Sequence, residues 1–362
     1  MTASGPGIPT RPAPTLGSPT ADRRPVKAPQ GPAAAHAAGS GTGRAGPDPA
    51  QAVAMADPAG TVARTGTAGP GTAGPGTAGP GARAGFAPAG PPRGALALAV
   101  HLRLLGVRPG MRLLVHASLR GTGLGAEPLR DALLGVLGPR GTLVVPAFTP
   151  ENSTTSSAHR ARIAGLSEPE VLAFRERMPP FDPASTPSQG MGALAEAVRT
   201  APGAARSAHP QTSFAAVGGD AERLCSGHRL ESHMGEESPL GKMCWEGAQV
   251  LMINVGFSVC SAFHLAEYRI PKPPLRMYEC VVKVNLPGGR QGHLRDRQGY
   301  LQEGEWTSYE DVALDDSDFA EIGGAFPDSR VRRGRVGGAS AMLFSLPDAV
   351  DHALEWMTEN RR

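Results

Sequence analysis

A layered α/β fold, a mixed sheet flanked by helices and preceded by a disordered N-terminal tail, is predicted by three observations. Residues 1–95 are dominated by Gly, Pro, Ala, Thr and Ser. From Leu96 onward, short apolar runs alternate with stretches of helical period. Glycine-containing loops join them in the order strand, loop, helix, strand, which builds layers of helices on a sheet.

The tail contains a tandem repeat, Gly66-Thr67-Ala68-Gly69-Pro70, repeated at 71–75 and 76–80. It has almost no large apolar side chain to offset its ordering entropy, and each proline removes a backbone donor. The folded part then begins with a helix carrying Leu96, Leu98, Val100, Leu102, Leu104 and Leu105, closed by the turn Gly106-Val107-Arg108-Pro109-Gly110. Arg112–Leu119 reads as a buried strand running into a loop with Gly121, Gly123 and Gly125, followed by a helix from Glu127 to Leu137. Gly141–Phe148 supplies a second buried strand. Residues 149–190 form a long polar, proline-rich excursion with one helix, Pro169 to Arg177, and such a loop in a compact domain is usually a binding element. A helix over Gly192–Thr200, a strand over Gly247–Gly256, a helix start at His264–Arg269 and a strand at Tyr278–Val284 follow. Gly337–Ser345 and Leu346–Met357 read as the last strand and a closing helix. One domain, residues 96–362, fits better than two.

Charge divides like composition. Residues 1–95 hold eight Arg or Lys against three Asp, so their balance is +5 and the remainder carries −2 of the total +3. The arginines of the tail form no compact patch, which argues against nucleic-acid binding. No run is long enough to span a bilayer and the N-terminus lacks a secretory apolar core, so a soluble cytoplasmic protein without membrane partner is expected. Cys225, Cys244, Cys260 and Cys280 lie 19, 16 and 20 residues apart, with no Cys-x-x-Cys pair. They read as buried thiols. His116, His228, His233 and His264 match no standard zinc spacing, and no metal is expected.

Two segments carry chemistry. Arg206-Ser207-Ala208-His209-Pro210-Gln211-Thr212-Ser213-Phe214-Ala215-Ala216-Val217-Gly218 places a histidine and hydroxyls beside a buried run, and His264-Leu265-Ala266-Glu267-Tyr268 places a carboxylate in an apolar helix start. An isolated buried carboxylate is costly, so Glu267 needs a partner, His209 or His264. Imidazole titrates near neutrality, and a carboxylate partner holds its tautomer, the material of a proton-transfer site. Arg120-Gly121-Thr122-Gly123-Leu124-Gly125 matches the Arg-x-x-Gly-x-Gly loop of GNAT-type acetyltransferases, but in a chain with 48 glycines it reads first as a strand-to-helix turn. The acidic residues Glu231, Glu236, Glu237 and Asp182 offer attraction for a cationic substrate or a solvated face.

The chain resembles the aminoglycoside 3-N-acetyltransferase family, antibiotic N-acetyltransferases distinct from the GNAT enzymes. The resemblance covers roughly residues 96–357. Five motifs carry it in order: Val115-His116-Ala117-Ser118-Leu119; Pro180-Phe181-Asp182-Pro183 with Thr186-Pro187; Pro202-Gly203-Ala204-Ala205-Arg206-Ser207-Ala208-His209-Pro210 with Ser213; Ser238-Pro239-Leu240-Gly241-Lys242; and His264-Leu265-Ala266-Glu267. It implies an antibiotic N-acetyltransferase-like fold, acetyl-coenzyme A as co-substrate and transfer to the 3-amino group of a 2-deoxystreptamine aminoglycoside, a resistance activity. Carried over, His209 is the general base, Glu267 orients it, and Ser261, where the family has threonine, serves the oxyanion. His116, Ser118 and Leu119 resemble the coenzyme A contact region, with Ser207, Ser213 and Phe214 facing them, while Asp182, Glu236 and His264 are candidates for the amine substrate. The family's usual asparagine before that threonine is Ser258 here, and the glycine after the long apolar strand is displaced by Asn254-Val255-Gly256. An N-acetyltransferase for another amine of secondary metabolism, and a silent relative that binds a ligand or partner, are the alternatives. A homo-oligomer remains open.

Overall fold

The computed structural model describes residues 93–283, 293–295 and 301–361. The predicted tail, apart from residues 93–95, lies outside the described residues. Arg93–Leu105 (α1) starts three residues before the predicted boundary. Its Leu98, Leu102 and Leu105, spaced four and three apart, are buried as a helical stripe.

Seven strands form the main sheet. β1 (Arg112–Ala117), β2 (Thr142–Pro146) and β5 (Gln249–Ile253) are parallel, with β1 in the centre. β4 (Phe214–Gly218) adds antiparallel to β2, and the two-residue β3 (Ala205–Arg206) pairs outside it. On the other side β10 (Ala339–Ser345) runs antiparallel to β5, and β9 (Arg332–Val336) forms the far edge. The order is therefore β3-β4-β2-β1-β5-β10-β9. The parallel strands read as unbroken apolar runs because helices cover both faces; all five residues of β2 are buried. At the end of β4, Gly218 adopts φ +129, and a Cβ there would collide with Gly141 O, so the close β2–β4 approach requires glycine.

The helices fall largely where the apolar period put them. α2 (Ala126–Leu137) buries Leu129, Leu133 and Val136, and α5 (Gly192–Arg199) buries Leu194 and Val198. α7 (Pro239–Trp245) begins with Ser238 accepting from Gly241 N at 3.3 Å and proline in its first turn. α10 (Leu346–Asn360) closes the fold with Leu346, Ala349, Val350, Ala353 and Met357 buried. Gly121 and Gly123, at φ +69 and +70, turn the chain from β1 into α2, consistent with the strand-to-helix reading of that loop.

The excursion over 149–190 holds two helices rather than one, α3 (Ser157–Ile163) and α4 (Glu168–Glu176). α3 escaped the sequence reading because it is short and buries only His159. Arg206 clamps the excursion's return to the sheet by donating to Thr186 O and, at 2.5 Å, to Ala147 O. A second, antiparallel sheet, β6-β8-β7, is formed by β6 (Leu275–Lys283), β7 (His293–Arg295) and β8 (Leu301–Val312). Two further helices lie before β9 and between β4 and α7: α9 (Phe319–Ala325) and α6 (Ala221–Cys225).

Candidate active site

β1, β2 and β5 end together, and a cavity of about 450 Å³ opens beyond their carboxyl ends, lined by His116, Ser118 and Leu119 from β1, Pro146 from β2, Val255 after β5 and the start of α5. Gly192, at φ +82, lets α5 approach β1; a Cβ there would stand 3.3 Å from Ala117 O. Asn254 takes φ +55, which asparagine tolerates, and its Nδ2 donates to Ser118 O at 3.1 Å and Arg120 O at 3.3 Å. This departure from the family pattern ties β5 to the cavity wall.

α8 (Ala262–Arg269) follows β5 and is buried over its first six residues. His264 and Glu267 lie one turn apart on it, and His264 Nδ1 donates to Glu267 Oε2 at 2.7 Å. Both are buried, at 3% and 1% exposure. The other carboxylate oxygen of Glu267 accepts from Asp315 N at 2.9 Å and Arg361 Nη1 at 2.6 Å. Arg361 is shared with Asp318, to which Nε and Nη2 donate at 2.7 and 2.6 Å. The Phe319 ring packs 4.6 Å from the His264 ring. The Nε2 of His264 makes no hydrogen bond among the described residues. The spacing therefore yields a fixed tautomer with the far nitrogen able to accept a proton.

Two groups within electrostatic reach of His264 have unpaired polar atoms. His116 is 5% exposed and neither ring nitrogen has a hydrogen-bond partner among the described residues. Burial, with the charge of His264 second, pushes its imidazole down to about 4. Asp316 Oδ2 is buried without a partner, and burial pushes this carboxyl up to about 6 against the opposing pull of His264.

His209 stands elsewhere. The structure pairs Glu267 with His264 and does not bring His209 to it. His209 is fully buried, and its Nδ1 accepts from Gln211 N and Thr212 N at 3.2 and 3.1 Å while Nε2 donates to Leu230 O at 3.1 Å. Its ring packs against His233 and His228, at centroid distances of 4.4 and 4.8 Å. Burial first, then the charges of those two rings, lowers it well below the ordinary imidazole range. A ring with both nitrogens committed inside the protein anchors a loop. His233 in turn donates to Asp311 Oδ2 at 2.7 Å, and the Tyr268 hydroxyl of α8 donates to that same oxygen at 2.7 Å. The pair thus joins β8 to the helix that bears His264.

Most of the other expected contact residues are engaged within the protein itself. Ser207, Ser213 and Phe214 are fully buried away from the cavity lining. Ser207 Oγ accepts from Phe214 N at 2.9 Å, Ser213 Oγ donates to Ala147 O at 2.7 Å, and Phe214 meets the Phe148 ring edge-on at 5.6 Å. Asp182 is held by Lys283, which lowers its carboxyl. Glu236 is bound by Arg269 at 2.7 and 3.2 Å and by Trp245 at 2.9 Å. Ser261 stands at the N-cap position of α8, 3% exposed, without a side-chain hydrogen bond to the helix. Asp315, Asp316 and Arg361 were not singled out from the sequence; the run Asp315-Asp316-Ser317-Asp318 before an aromatic residue is the visible signal for the two aspartates, and Arg361 has none. Among the described residues no group of three or more His, Cys, Asp and Glu is placed to hold a metal, and no helix is long and apolar enough to cross a membrane.

A cavity at the ends of parallel strands, whose wall residue His116 lies in electrostatic reach of the buried His264–Glu267 dyad, is the arrangement of an enzyme of the α/β class. Comparison places it further. Residues 114–358 match the aminoglycoside 3-N-acetyltransferase family, and the chain belongs to that family of acyltransferases. It is 34% identical over 278 residues to the SPbeta prophage-derived aminoglycoside N(3')-acetyltransferase-like protein YokD of Bacillus subtilis, covering 74% of this chain and 94% of that one. The crystal structure of YokD superposes with a TM-score of 0.64 over 74% of this chain and all of the other. Aminoglycoside N(3)-acetyltransferase III of Serratia marcescens is 33% identical over 73% of this chain and 97% of its own length. Two solved relatives carry ligands: AAC-IIIb as a binary complex with CoASH (28% identity, TM-score 0.59, 73% and 96% covered) and AAC-VIa bound to sisomicin (29%, 0.58, 74% and 98%).

Proposed function

We propose that this protein transfers acetyl from acetyl-coenzyme A to the 3-amino group of a 2-deoxystreptamine aminoglycoside, with His264 as general base and Glu267 as its orienting partner. The observation that carries this reading is the buried 2.7 Å His264–Glu267 hydrogen bond in a family whose relatives are named for that reaction. The general-base role passes from His209 to His264 because both ring nitrogens of His209 are engaged by the chain, while His264, bonded to Glu267 through Nδ1, keeps Nε2 unengaged.

An aminoglycoside amine is protonated at neutral pH, so a base must free its lone pair. His264 Nε2 takes that proton, and Glu267 stabilises the resulting imidazolium. Acetyl-coenzyme A supplies an activated thioester. The wall from His116 to Leu119 and the start of α5 fit its acyl-bearing arm, since His116 lines the cavity there with an unmet polar capacity. Asp182 and Glu236 are already engaged by Lys283 and Arg269, which leaves Asp316 as the buried carboxylate for a substrate ammonium. Direct transfer without an acyl-enzyme is supported by the cysteines: all four are buried, and burial pushes Cys225, Cys260 and Cys280 up to about 12, so none is a ready thiolate. Acetyl-coenzyme A as donor fits a cytoplasmic enzyme.

The test is thiol release from acetyl-coenzyme A against a panel of 2-deoxystreptamine aminoglycosides and simple amines, with His264→Asn and His209→Asn beside the wild type. His264→Asn should lose at least ~10²-fold in kcat, the scale of a general base, while folded His209→Asn stays within ~tenfold. Loss in His209→Asn with His264→Asn active would return the base to His209. Release with other amines alone would move the acceptor to another metabolite, and none with any amine would leave a silent relative.

A further inference from the structure

His116 ends β1, the central strand, and lines the cavity. It is 95% buried by its 5% exposure, yet neither ring nitrogen is hydrogen-bonded among the described residues, and Nε2 has no partner at all there. This contrasts with the clustered histidines of the core. His209, His228 and His233 each have both ring nitrogens within hydrogen-bond distance of the chain's own atoms. Buried polar groups are ordinarily paired, and one left open in a cavity wall is the mark of a ligand contact. The charge of the proposed base, His264, bears on the His116 ring.

Resting on the acetyl-transfer reading, we propose that His116 is the hydrogen-bond donor to the carbonyl oxygen of the acyl donor as that oxygen becomes an oxyanion. The amine nitrogen bonds to the carbonyl carbon, the C=O π pair moves onto oxygen, and an N–H of His116 donates to it. On collapse the pair returns, the C–S bond breaks, and the departing thiolate takes the proton that His264 removed from the amine. His116 itself neither gains nor loses a proton. A ring held down to about 4 suits this role, because it carries one N–H throughout the working range and is not replaced by a cation that would attract the thiolate or repel an ammonium substrate. Ser261 at the start of α8 is positioned in sequence as the second donor.

The experiment combines kinetics, binding and spectroscopy on full-length protein. His116→Phe removes the donor while keeping a ring in the wall, and His116→Gln restores an N–H. Expected is a loss of ~10²–10³-fold in kcat for His116→Phe, the scale of one lost oxyanion donor, with the coenzyme A dissociation constant by calorimetry within ~threefold. His116→Gln should recover at least ~tenfold over His116→Phe. In wild type, the ring ¹⁵N resonances of His116 should shift with a coenzyme A derivative bearing a ketone in place of the thioester, and less with coenzyme A itself. The inference is overturned by His116→Phe turning over within ~threefold of wild type, by a loss confined to coenzyme A affinity, or by ¹⁵N resonances indifferent to the ketone. A wild type that releases no thiol with any amine overturns the acetyl-transfer reading instead, and the ketone titration still decides the contact. Should His116→Phe not fold, His116→Gln and the wild-type titration decide.

Discussion

Replacing Glu267 by Gln tests the dyad most directly, because the structure separates its catalytic and stabilising effects. Glu267 accepts three hydrogen bonds: from His264 Nδ1 at 2.7 Å, from Asp315 N at 2.9 Å and from Arg361 Nη1 at 2.6 Å. An amide of the same shape can present oxygen to one side only. If it faces Arg361 and Asp315, its NH₂ meets His264 Nδ1 and forces the wrong tautomer; if it faces His264, its NH₂ opposes a guanidinium. Either way the imidazolium formed in turnover loses its counter-charge, a cost of ~10²–10⁴ in kcat. Stability should suffer less. Arg361 keeps Asp318 at 2.6 and 2.7 Å and Asp315 O at 2.6 Å, so it is not orphaned. The loss should be ~1–3 kcal/mol, one buried hydrogen bond broken, rather than the ~3–5 of a stranded buried charge. Asp318→Asn is the control: it weakens the same Arg361 cluster without touching the His264–Glu267 bond. Thiol-release kinetics and thermal melts on both variants read the two effects. The reasoning is refuted if Glu267→Gln keeps kcat within ~threefold, or if Asp318→Asn loses kcat as deeply at equal stability.

Two further outcomes follow from burial and composition. His116 and His228 are held down to about 4 and 3, and His209 is lowered too, all by burial first. Their folded values lie below the unfolded value of about 6.5, so their contribution to stability is complete above that pH and lost as pH falls toward about 4. Each contributes a slope of ~1.4 kcal/mol per pH unit, ~4 together, and a urea midpoint unchanged between pH 7.5 and 5.5 would contradict the burial of neutral rings. Deleting residues 1–90, proposed as a disordered tail, should leave thiol release and the melting temperature intact; loss of either would give the tail a structural role.

Much of the sheet was legible because a parallel strand covered on both faces is an uninterrupted apolar run. β1, β2 and β5 announce themselves that way, the antiparallel β10 by its mostly apolar residues, and α2, α5 and α10 by period. β8 did not, since Glu305, Thr307 and Ser308 interrupt its apolar residues, and α9 is only seven residues long. In the site, the spacing of three between His264 and Glu267 was enough to put them on one helical face, and that alternative was the correct geometry. What sequence could not supply was where His209 sits. Its partners come from Leu230 and His233, 21 and 24 residues on, and nothing in a linear motif says that these carbonyls and rings converge on it. Similarly, Asp315 and Arg361 reach Glu267 across 48 and 94 residues, so the completed dyad is a product of topology.

That topology also decides what Glu267 does. A carboxylate whose second oxygen already faces a guanidinium and a backbone amide is held by charge on the side away from His264. Moving the Nδ1 proton onto it would neutralise the carboxylate beside Arg361 and leave that cation with fewer counter-charges. In the proposed mechanism the arrangement therefore opposes a relay and favours orientation, keeping the amine's proton on His264 at Nε2, where the departing thiolate can collect it. The residue that makes this possible, Arg361, directly follows α10, whose buried face holds it in place. Stability of the closing helix and competence of the base are in this way joined through one side chain.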